Sequence, residues 1–434
     1  YIDARLTVLT QSNATGQLSG ADSGGLNETV KGRIGAVDLV SSTGYVSHDL
    51  NTRYDTSAPA PGSPRQAYDE TRDINLFNHE TRLSYRSDDS LSWLVGASAL
   101  RHKDDYRQLI TNTNGAAPPP LATIIYTTSE YALFGEARYA YNDDISVTVG
   151  GRLLYTQGKA ERTFGTANSV VPQTDAVRFL PVAAVSLRIS EDVTGYLRYQ
   201  EGYRTGGITV ERAINGDPRI ARFDPDKVNA FEAGLKGRLN GDVPINFSLA
   251  VSYMKWQDVQ ADLIDNIGFT ITRNIGDADI FGLAMQSDTP LTPNLTLASA
   301  FFLNHSQVNR LTPRNTALST QLPNIAPYGA RLSLRYQIDL GETSELIASG
   351  ALAYTGESVL DINAMEQVRQ GDFASADLAL TWRKPSWDIG IEANNITNTR
   401  GNRFSFGNPF QIRQENQQVP LRPFNLRLSA KLRL

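Results

Sequence analysis

The feature that most restricts the fold of this chain is a strict alternation of apolar and polar residues over long segments. In the final segment, from Phe424 to Leu434, every second residue is apolar and each residue between them is polar or charged. Successive side chains of a β-strand point to opposite faces, so this pattern predicts a strand with one apolar and one polar face. The apolar positions are Phe424, Leu426, Leu428, Ala430, Leu432 and Leu434.

The same alternation recurs along the whole chain, in roughly eighteen segments that often run about 12 to 18 residues. Strands of globular sheets are usually about five or six residues long. A tilted strand needs about 9–11 residues to cross a bilayer and often continues beyond it. The sequence therefore predicts an all-β fold, a transmembrane antiparallel β-barrel. Clear examples of the segments are 77–86, 145–155, 193–200 and 328–338.

The connections between these segments alternate in length. Short polar turns are expected at 87–90, 142–144, 190–192, 240–242, 291–294 and 341–344. Long loops are expected at 50–73, 109–124, 206–224 and 398–421. Bacterial outer-membrane barrels have short periplasmic turns and long extracellular loops. With both termini in the periplasm, the last strand runs toward the periplasm. Counting back through eighteen strands, with 27–34 as one of them, makes Tyr1–Thr10 a strand that runs toward the outside.

Composition limits the other classes of protein. A mean hydropathy of −0.32 and 20 % charged residues would also suit a soluble protein of two or three domains. No run approaches the roughly 20 apolar residues of a membrane-spanning helix. A net charge of −5 gives no support for nucleic-acid binding. A soluble all-β protein, such as a propeller, remains the alternative fold, but Arg and Glu recur in the middle of the strands, which argues against it.

The sequence contains no pattern that indicates catalysis. The four His residues are dispersed and the chain has no Cys, so no metal site and no cofactor are expected. A G-x-S-x-G nucleophile motif is absent. The segment GYRTGG at 202–207 lacks the spacing and the following helix of a dinucleotide site, and is interpreted as a strand end entering a loop. We expect no enzymatic activity.

Several segments occur in a fixed order along nearly the whole chain. They are LVSSTGYVSHDL at 39–50 with Asp55 after it, NHETRLSYRS at 78–87, YLRYQEGYRTGGI at 196–208, FDPDKVNAFEAGLKGRL at 223–239, NIGDADIFGLAMQSD at 274–288, ANNITN at 393–398 and PLRPFNLRLSAKLRL at 420–434. In this order the segments resemble the TonB-dependent outer-membrane receptors, the energised importers of siderophores and other scarce nutrients.

This resemblance implies a barrel of 22 strands with a plugged lumen. Residues 1–434 would be the C-terminal barrel domain, about 18 of the 22 strands, with the plug and the first strands missing. The barrel would lie in the bacterial outer membrane, in contact with lipid and lipopolysaccharide. The plug would couple it to the TonB–ExbB–ExbD energy complex. Barrels of this kind usually end in an aromatic residue, whereas this chain ends in Leu434.

Two groups of residues are candidates for contact with a ligand. The first is a set of arginines on the polar, lumen-facing side of the strands: Arg82, Arg138, Arg152, Arg198, Arg331 and Arg335. Glu80, Glu136 and Glu232 share that side. These charges could pair with one another and with the plug, or they could form a basic path for anionic ligands. Both interpretations remain open.

The second group lies at a strand end and in two long loops. It comprises Tyr203, Arg204, Arg212, Arg219, Arg222, Arg400, Arg403, Phe404, Phe406, Phe410 and Arg413. The planar guanidinium group suits carboxylate or phosphate, and exposed Phe suits an apolar ligand body. Packing of the loops against one another, or against lipopolysaccharide phosphates, is the alternative.

The sequence thus predicts a receptor for TonB-dependent active uptake of a scarce nutrient, foremost a small metal chelate such as a ferric siderophore. The alternative function is that of a passive, 18-stranded porin, a diffusion channel that would be complete as it stands. A plug-sized segment before Tyr1 in the reading frame would favour the receptor, and a signal peptide directly before Tyr1 would favour the porin.

Overall fold

The structure, a computed structural model, describes residues 18–57, 65–86, 90–112, 122–164, 167–212, 218–265, 268–311, 318–362, 368–402, 408–411 and 419–433. Regular structure in these ranges consists of β-strands. In these ranges the structure contains no apolar helix of membrane-spanning length.

Seventeen long strands form one antiparallel sheet, in which each strand pairs with the next in a continuous meander. These strands are β1 (Leu18–Ile34), β2 (Val37–Asp55), β3 (Gln66–Arg86), β4 (Leu91–Asn112), β5 (Ala122–Ala140), β6 (Ile145–Phe164), β7 (Ala167–Ser190), β8 (Val193–Arg204), β11 (Asp226–Leu239), β12 (Ile245–Gln257), β15 (Gly276–Thr292), β16 (Leu295–Leu311), β17 (Tyr328–Asp339), β18 (Glu345–Thr355), β21 (Phe373–Lys384), β22 (Trp387–Asn394) and β23 (Asn425–Leu432).

Three small hairpins project from one end of this sheet. They are β9 (Gly207–Arg212) with β10 (Pro218–Phe223), β13 (Gln260–Ile264) with β14 (Thr270–Asn274), and β19 (Ser358–Val359) with β20 (Arg369–Gln370). The all-β prediction is confirmed, and the segment 27–34 belongs to β1. The predicted strand Tyr1–Thr10 lies outside the described residues.

The two faces of the sheet differ sharply in polarity. Large apolar side chains on one face are open to the surroundings; Leu133 and Leu197 are each 64 % exposed and Phe179 is 62 % exposed. An apolar surface of this extent is not tolerated in water, whereas it matches the lipid-facing band of a membrane barrel. We call this the outer face, and its exposed apolar residues the apolar band. The opposite, polar surface is the inner face.

One end of the sheet, the short-turn rim, is formed by tight connections. In the β5–β6 turn, the Asn142 side-chain oxygen accepts hydrogen bonds from the backbone N–H groups of Asp144 (2.9 Å) and Ile145 (2.7 Å). Gly35 and Gly341 adopt positive φ values of 61° and 101° in two further turns, a conformation that glycine adopts without steric cost. The predicted alternation of short and long connections is confirmed.

The other end, the long-loop rim, departs from the prediction in two ways. The expected loops 50–73 and 109–124 were too long, because β2 continues to Asp55, β3 begins at Gln66, and β4 and β5 extend similarly. The extended parts lie beyond the apolar band. Their outer face is mostly polar, and their inner face mixes polar side chains with apolar ones such as Tyr68 and Ile124, so the alternation disappears while the backbone pairing continues. The expected loop 206–224 was also too simple, since it contains the β9–β10 hairpin.

A hydrophobic core is found within this long-loop rim. Its buried members come from the β13–β14 hairpin, from adjacent ends of β15 and β16, and from loop segments near 322 and 362. They are Val259, Leu263, Ile271, Ile275, Ala278, Val308, Leu322 and Ile362. The loops therefore have a packed interior of their own, in addition to the pairing of the wall strands.

Candidate functional site

An aromatic cluster joins three connections of the long-loop rim. The Phe410 ring centroid lies 4.9 Å from that of Tyr68, 5.3 Å from that of Phe269 and 6.3 Å from that of Tyr54. Tyr68 and Phe269 also meet edge-to-face at 5.4 Å. Such aromatic contacts contribute about 0.5–1.5 kcal/mol each beyond the burial of their area.

The residue next to Phe269 makes this approach possible. Gly268 has a φ of 99°, and a Cβ atom there would lie 2.8 Å from the Phe410 Cα atom. A side chain at position 268 would therefore be strained in its backbone and would also displace Phe410. The glycine allows the β13–β14 tip and the 408–411 segment to touch.

Hydrogen bonds between side chains and backbone groups fix the same segment to the end of β2. Asn408, which is 2 % exposed, donates from its side-chain amide to the Asp55 carbonyl oxygen at 2.6 Å. Its side-chain oxygen accepts from the Phe410 N–H at 3.0 Å. The buried Asp55 carboxylate accepts from the Ser57 N–H at 2.9 Å. Asp55, noted in the sequence as part of a family segment, thus terminates a strand.

The cluster connects parts of the wall that are far apart in the sheet. Six strands, β4 to β8 and β11, separate β3 from β12, yet Tyr68 at the start of β3 meets Phe269 in the hairpin that follows β12. Phe410 reaches the same point from the connection between β22 and β23. The long loops therefore converge across the inner side of the sheet.

A buried carboxylate holds the two larger hairpins to the wall. Asp226, 3 % exposed, accepts hydrogen bonds from Arg204, from the Trp256 indole N–H (3.1 Å) and from the Gln260 N–H (3.2 Å). The Arg204 guanidinium also lies 5.7 Å from the Trp256 ring centroid and donates to the Gln260 carbonyl oxygen at 3.0 Å. Arg204, a predicted ligand-binding residue, is thus engaged in positioning β8, β11 and β13.

The hairpins are also bonded to each other. Arg273 of β14 forms an ion pair with Glu211 of β9 at 2.6 Å, and the Thr272 N–H donates to the Thr209 hydroxyl at 3.1 Å. Tyr126 of β5 donates its hydroxyl to the Gly206 carbonyl oxygen at 3.1 Å. These contacts make the rim a connected assembly.

Two tyrosines, Tyr68 buried and Tyr106 half-buried, face each other across β3 and β4, beyond the apolar band. The hydroxyls of Tyr68 and Tyr106 both donate to the same Glu70 carboxylate oxygen, at 2.8 Å and 3.1 Å. Burial raises the pKa of both phenols well above the ordinary value, and the nearby Glu70 charge raises the pKa further in each. Both tyrosines therefore stay protonated at neutral pH. Arg72 and Asp104 form an ion pair beside them.

The structure distributes the predicted loop residues unevenly. The Tyr203 ring lies 5.7 Å from the Arg178 guanidinium, while Arg222 and Arg400 are exposed. Arg212 and Arg219 fall in β9 and β10, and their side chains are outside the described part. Arg403, Phe404, Phe406 and Arg413 lie outside the described residues. Phe410 packs within the aromatic cluster, so the packing alternative applies to it.

The predicted arginines of the polar side all fall on the inner face by strand alternation. Arg152 donates to the Ser98 hydroxyl at 2.9 Å, and Arg138 donates to the Ser146 hydroxyl at 3.2 Å. Glu80 lies 3.8 Å from Arg82, and Glu232 lies opposite Arg198 in the β8–β11 register. Arg331 and Arg335 have small or neutral neighbours across β16 and β18. Four of the six thus have a polar or acidic inner-face neighbour, and both interpretations of these arginines stay predictions.

The sequence reasoning did not identify the residues that order the β22–β23 connection. Asn395, with a φ of 49°, donates to the carbonyl oxygens of Thr399 (3.0 Å) and Arg422 (2.9 Å), and its N–H donates to Asp377 (2.9 Å). The consecutive asparagines in ANNITN were the available signal, since Asn tolerates this backbone conformation and bonds to nearby backbone.

A polar recess of about 870 Å³ adjoins this connection on the inner face. Asp377, Glu392 and Arg427 line it together with Gln370, which is buried. Across the part of the chain that the structure covers, no group of three or more His, Cys, Asp or Glu side chains is placed to hold a metal ion. The rim thus offers hydrogen bonds, ion pairs and aromatic surfaces for reversible binding.

Comparison with known proteins agrees with this architecture. A family model described as "TonB dependent receptor-like, beta-barrel" matches residues 6–396. The ferric-pyoverdine BN7/BN8 receptor of Pseudomonas putida is 26 % identical over 140 residues, which are 32 % of this chain and 16 % of that protein.

Solved structures extend the likeness over nearly the whole chain. The ferric yersiniabactin uptake receptor FyuA of Yersinia pestis superposes with a TM-score of 0.74 at 15 % identity, covering 96 % of this chain and 62 % of that one. The ferric-catecholate import receptor Fiu of E. coli K12 gives 0.68 at 13 % identity, with 97 % and 65 % covered. The barrel fold is shared, and the chain spans less than two thirds of these receptors.

Proposed function

Because the chain belongs to the TonB-dependent receptor family, whose β-barrel model it matches over residues 6–396, we propose that it is the barrel wall of an outer-membrane receptor for active nutrient uptake. The convergence of the long loops on the Tyr68–Phe269–Phe410 cluster is the observation that carries this function. Loops that meet across the opening suit selective capture of a ligand, whereas free diffusion needs an unobstructed passage.

The rim and the relatives support one class of ligand. Related receptors are named for ferric pyoverdine and ferric yersiniabactin, and a ferric siderophore is the ligand we assign. Exposed guanidinium groups such as Arg222 and Arg400 suit the anionic oxygens of such chelates. The barrel contributes walls and loops and performs no bond chemistry.

Energy for uptake enters through a part of the receptor other than this wall. In the proposal, a plug that belongs upstream of this barrel domain fills the lumen and connects it to TonB, which the ExbB–ExbD complex drives. A wide barrel without a plug would leak solutes. With the plug in place and the ligand tightly bound, uptake requires energy to open the lumen. The inner-face arginines and glutamates would then contact the plug and hydrate the lumen.

Growth under iron limitation tests the proposed function. A strain deleted for the full-length gene would be supplied with single ferric siderophores, with and without TonB. We expect growth on one chelate to need both the gene and TonB, and restoration by the wild-type gene. Growth that needs the gene but is independent of TonB would instead identify a passive channel.

The orientation of the barrel is tested separately by labelling. We propose that the long-loop rim is extracellular and that both termini are periplasmic. The chain has no Cys, so Arg222→Cys adds one thiol to the long-loop rim and Asp143→Cys adds one to the short-turn rim. In intact cells a membrane-impermeant maleimide should label the first variant and spare the second; the reverse pattern would invert the orientation.

A further inference from the structure

The outer face carries a cationic patch immediately beyond the apolar band, on its long-loop side. We define the patch by Arg101 and Lys103 of β4 and Lys159 of β6, all of which are exposed. Strand alternation places these side chains on the same face as the apolar Leu133 and Leu153. The patch therefore faces the surroundings of the barrel and is separate from the inner-face arginines.

Aromatic and aliphatic side chains border the patch on its membrane side. Tyr131 of β5 and Tyr155 of β6 lie in one cross-strand row and stack with ring centroids 6.4 Å apart. One row closer to the short turns, Leu133 is opposite Leu153, and these are 64 % and 47 % exposed. Tyrosine at an apolar–polar boundary is typical of the membrane interface.

The strand register gives the arrangement of the cations. Arg101 lies opposite Ser129, in the row directly beyond Tyr131. Lys103 lies opposite Thr127 in the next row, and Thr127 is opposite Lys159 on its other side. Rows on one face are about 6.6 Å apart and neighbouring strands about 4.8 Å apart. The three cations thus span about 7 Å along the strands and about 10 Å across them, with small hydroxyl side chains between them.

The charge of the patch is only partly neutralised by its neighbours. Lys159 forms an exposed ion pair with Glu161 at 2.5 Å. A hydrogen bond from Lys159, with the charges of Lys159 and Lys103, lowers the pKa of Glu161, so both lysines are close to this carboxylate. No carboxylate lies directly opposite Arg101 or Lys103. Their cross-strand neighbours are Phe77 and Ser129 for Arg101, and Asn75 and Thr127 for Lys103.

An acidic row marks the outer limit of the patch. Asp22, Asp49, Asp73 and Asp105 lie opposite one another across β1, β2, β3 and β4, one row beyond Lys103. An anion is repelled at this row and attracted at the rows below it. Negative groups of a ligand are thereby confined to the narrow zone between the apolar band and the aspartates.

Cations at the same height on another part of the wall are arranged differently. Lys227 of β11 pairs with Glu201 at 3.0 Å, and Lys255 of β12 lies opposite Asp279. These lysines also lie just beyond an aromatic row on the outer face, but each has a carboxylate beside it. The wall therefore has two comparable surfaces. Arg101 and Lys103 have no carboxylate opposite them, whereas Lys227 and Lys255 each have a carboxylate beside them.

We infer that the Arg101–Lys103–Lys159 patch binds the phosphate groups of a doubly phosphorylated, multiply acylated glycolipid of the outer leaflet. The acyl chains lie on the apolar band and the phosphates on the cations. Two phosphates fit because the cations occupy two rows, and because Arg and Lys both bind phosphate strongly. The inference rests on the orientation proposed above, in which the long-loop rim is extracellular.

Binding of purified lipid A to the full-length protein in detergent tests the site. Two double variants are compared with the wild type: Arg101→Gln/Lys103→Gln, and the matched control Lys227→Gln/Lys255→Gln. Each cation near an anionic lipid surface contributes about fivefold in affinity. We expect the first variant to bind diphosphorylated lipid A about 25-fold more weakly and the control within twofold of the wild type.

Three further arms identify the ligand. Dephosphorylated lipid A should bind weakly and equally to all three proteins, and inorganic phosphate at equal concentration should not displace lipid A. Equal losses in the two double variants would overturn the site. Displacement by inorganic phosphate would overturn the lipid as its occupant. Siderophore-dependent growth of the same variants should be unchanged, so failure of the lipid site leaves the uptake proposal standing.

Discussion

At the scale of single residues, the long-loop rim depends on a few buried polar groups with several partners each. Asp226 is such a group, because it accepts hydrogen bonds from a guanidinium, an indole and a backbone amide that belong to different strands. A hydrogen bond to a charged group contributes about 1.5–3 kcal/mol, more than a neutral one. Loss of the Asp226 charge should therefore loosen the attachment of two hairpins together.

Asp226→Asn is expected to weaken the closed state of the β9–β10 and β13–β14 hairpins by about 2 kcal/mol. Hydrogen exchange of 207–212 and 260–274 should accelerate about thirtyfold, while exchange in the wall strands stays unchanged. Asp242→Asn, in an exposed short turn, serves as the control. Unchanged exchange in both hairpins would mean that Asp226 does not hold them.

The tyrosine pair gives a second residue-scale prediction, for alkaline pH. Folding raises the pKa of Tyr68 and Tyr106 above the unfolded value of about 10. The folded state therefore holds protons that the unfolded state releases above pH 10, and their stabilising contribution is full below pH 10 and is lost as the pH rises beyond it.

We expect protease sensitivity near the β3–β4 ends to rise between pH 10 and 12 in the wild type. A Tyr68→Phe/Tyr106→Phe variant cannot titrate there, so its sensitivity should be flatter over the same interval. Limited proteolysis with an alkali-tolerant protease measures this. Identical pH profiles for the two proteins would rule out the tyrosines as the cause.

At the scale of elements, the strands are longer than the alternating segments that identify them in the sequence. β3 and β4 pair in register from Arg86 and Ser92 out to Gln66 and Asn112, far beyond the apolar band. The outer part is mostly polar on the outer face and mixed on the inner face, where Tyr68 and Tyr106 lie. Ion pairs such as Arg53–Asp69 (2.5 Å) join neighbouring strands there. Alternation requires one polar and one apolar environment. Beyond the lipid the outer face meets water and the inner face packs partly against the loops, so the pattern no longer identifies the strand.

The acidic row across these extensions is the prediction that belongs to the element scale. Like charges directly opposite each other in a sheet destabilise it by about 0.2–1 kcal/mol per pair. Asp73 has Asp49 on one side and Asp105 on the other. Asp73→Asn should therefore stabilise the β2–β3–β4 extension by about 0.5–1 kcal/mol.

Native-state hydrogen exchange of 47–51 and 103–107 measures this change, with Asp143→Asn in a short turn as the control. The effect should shrink in 1 M salt, because Asp49 and Asp73 are exposed and their repulsion is screened. A loss of stability on substitution would show that the row is held by attractive partners.

At the scale of the whole molecule, the contact across the sheet distinguishes this wall from a set of independent hairpins. Asn408 and Asp55 are bonded although 353 positions separate them in the chain. Tyr68, Phe269 and Phe410 meet from three connections, so a change at one loop is transmitted to the other two. Capture of a ligand by any of these loops is thereby coupled to the rest of the rim.

Phe410→Ala should separate the loops without unfolding the wall. Removal of a packed Phe ring costs about 3–5 kcal/mol in a full core, and about 2 kcal/mol is expected here because Phe410 is half-buried. Loop proteolysis should become faster, while the temperature at which the barrel unfolds in SDS gels stays the same. Phe179→Ala, on the outer face, should leave loop proteolysis unchanged; equal protection of the loops in both variants would contradict the bridging role.

The residue pattern alone was enough to predict the strands, their two faces, the alternation of short and long connections and the family. These properties are local, because each depends on residues one or two positions apart or on a segment and its turn. The tertiary structure decided what the long loops do: that Phe410 packs in a cluster, that Arg204 bonds to Asp226, and that Asp55 ends a strand beneath Asn408. Such contacts join residues that are far apart in the sequence, and the curvature of the whole sheet sets the distance between them. The pattern within one segment carries no information about that distance.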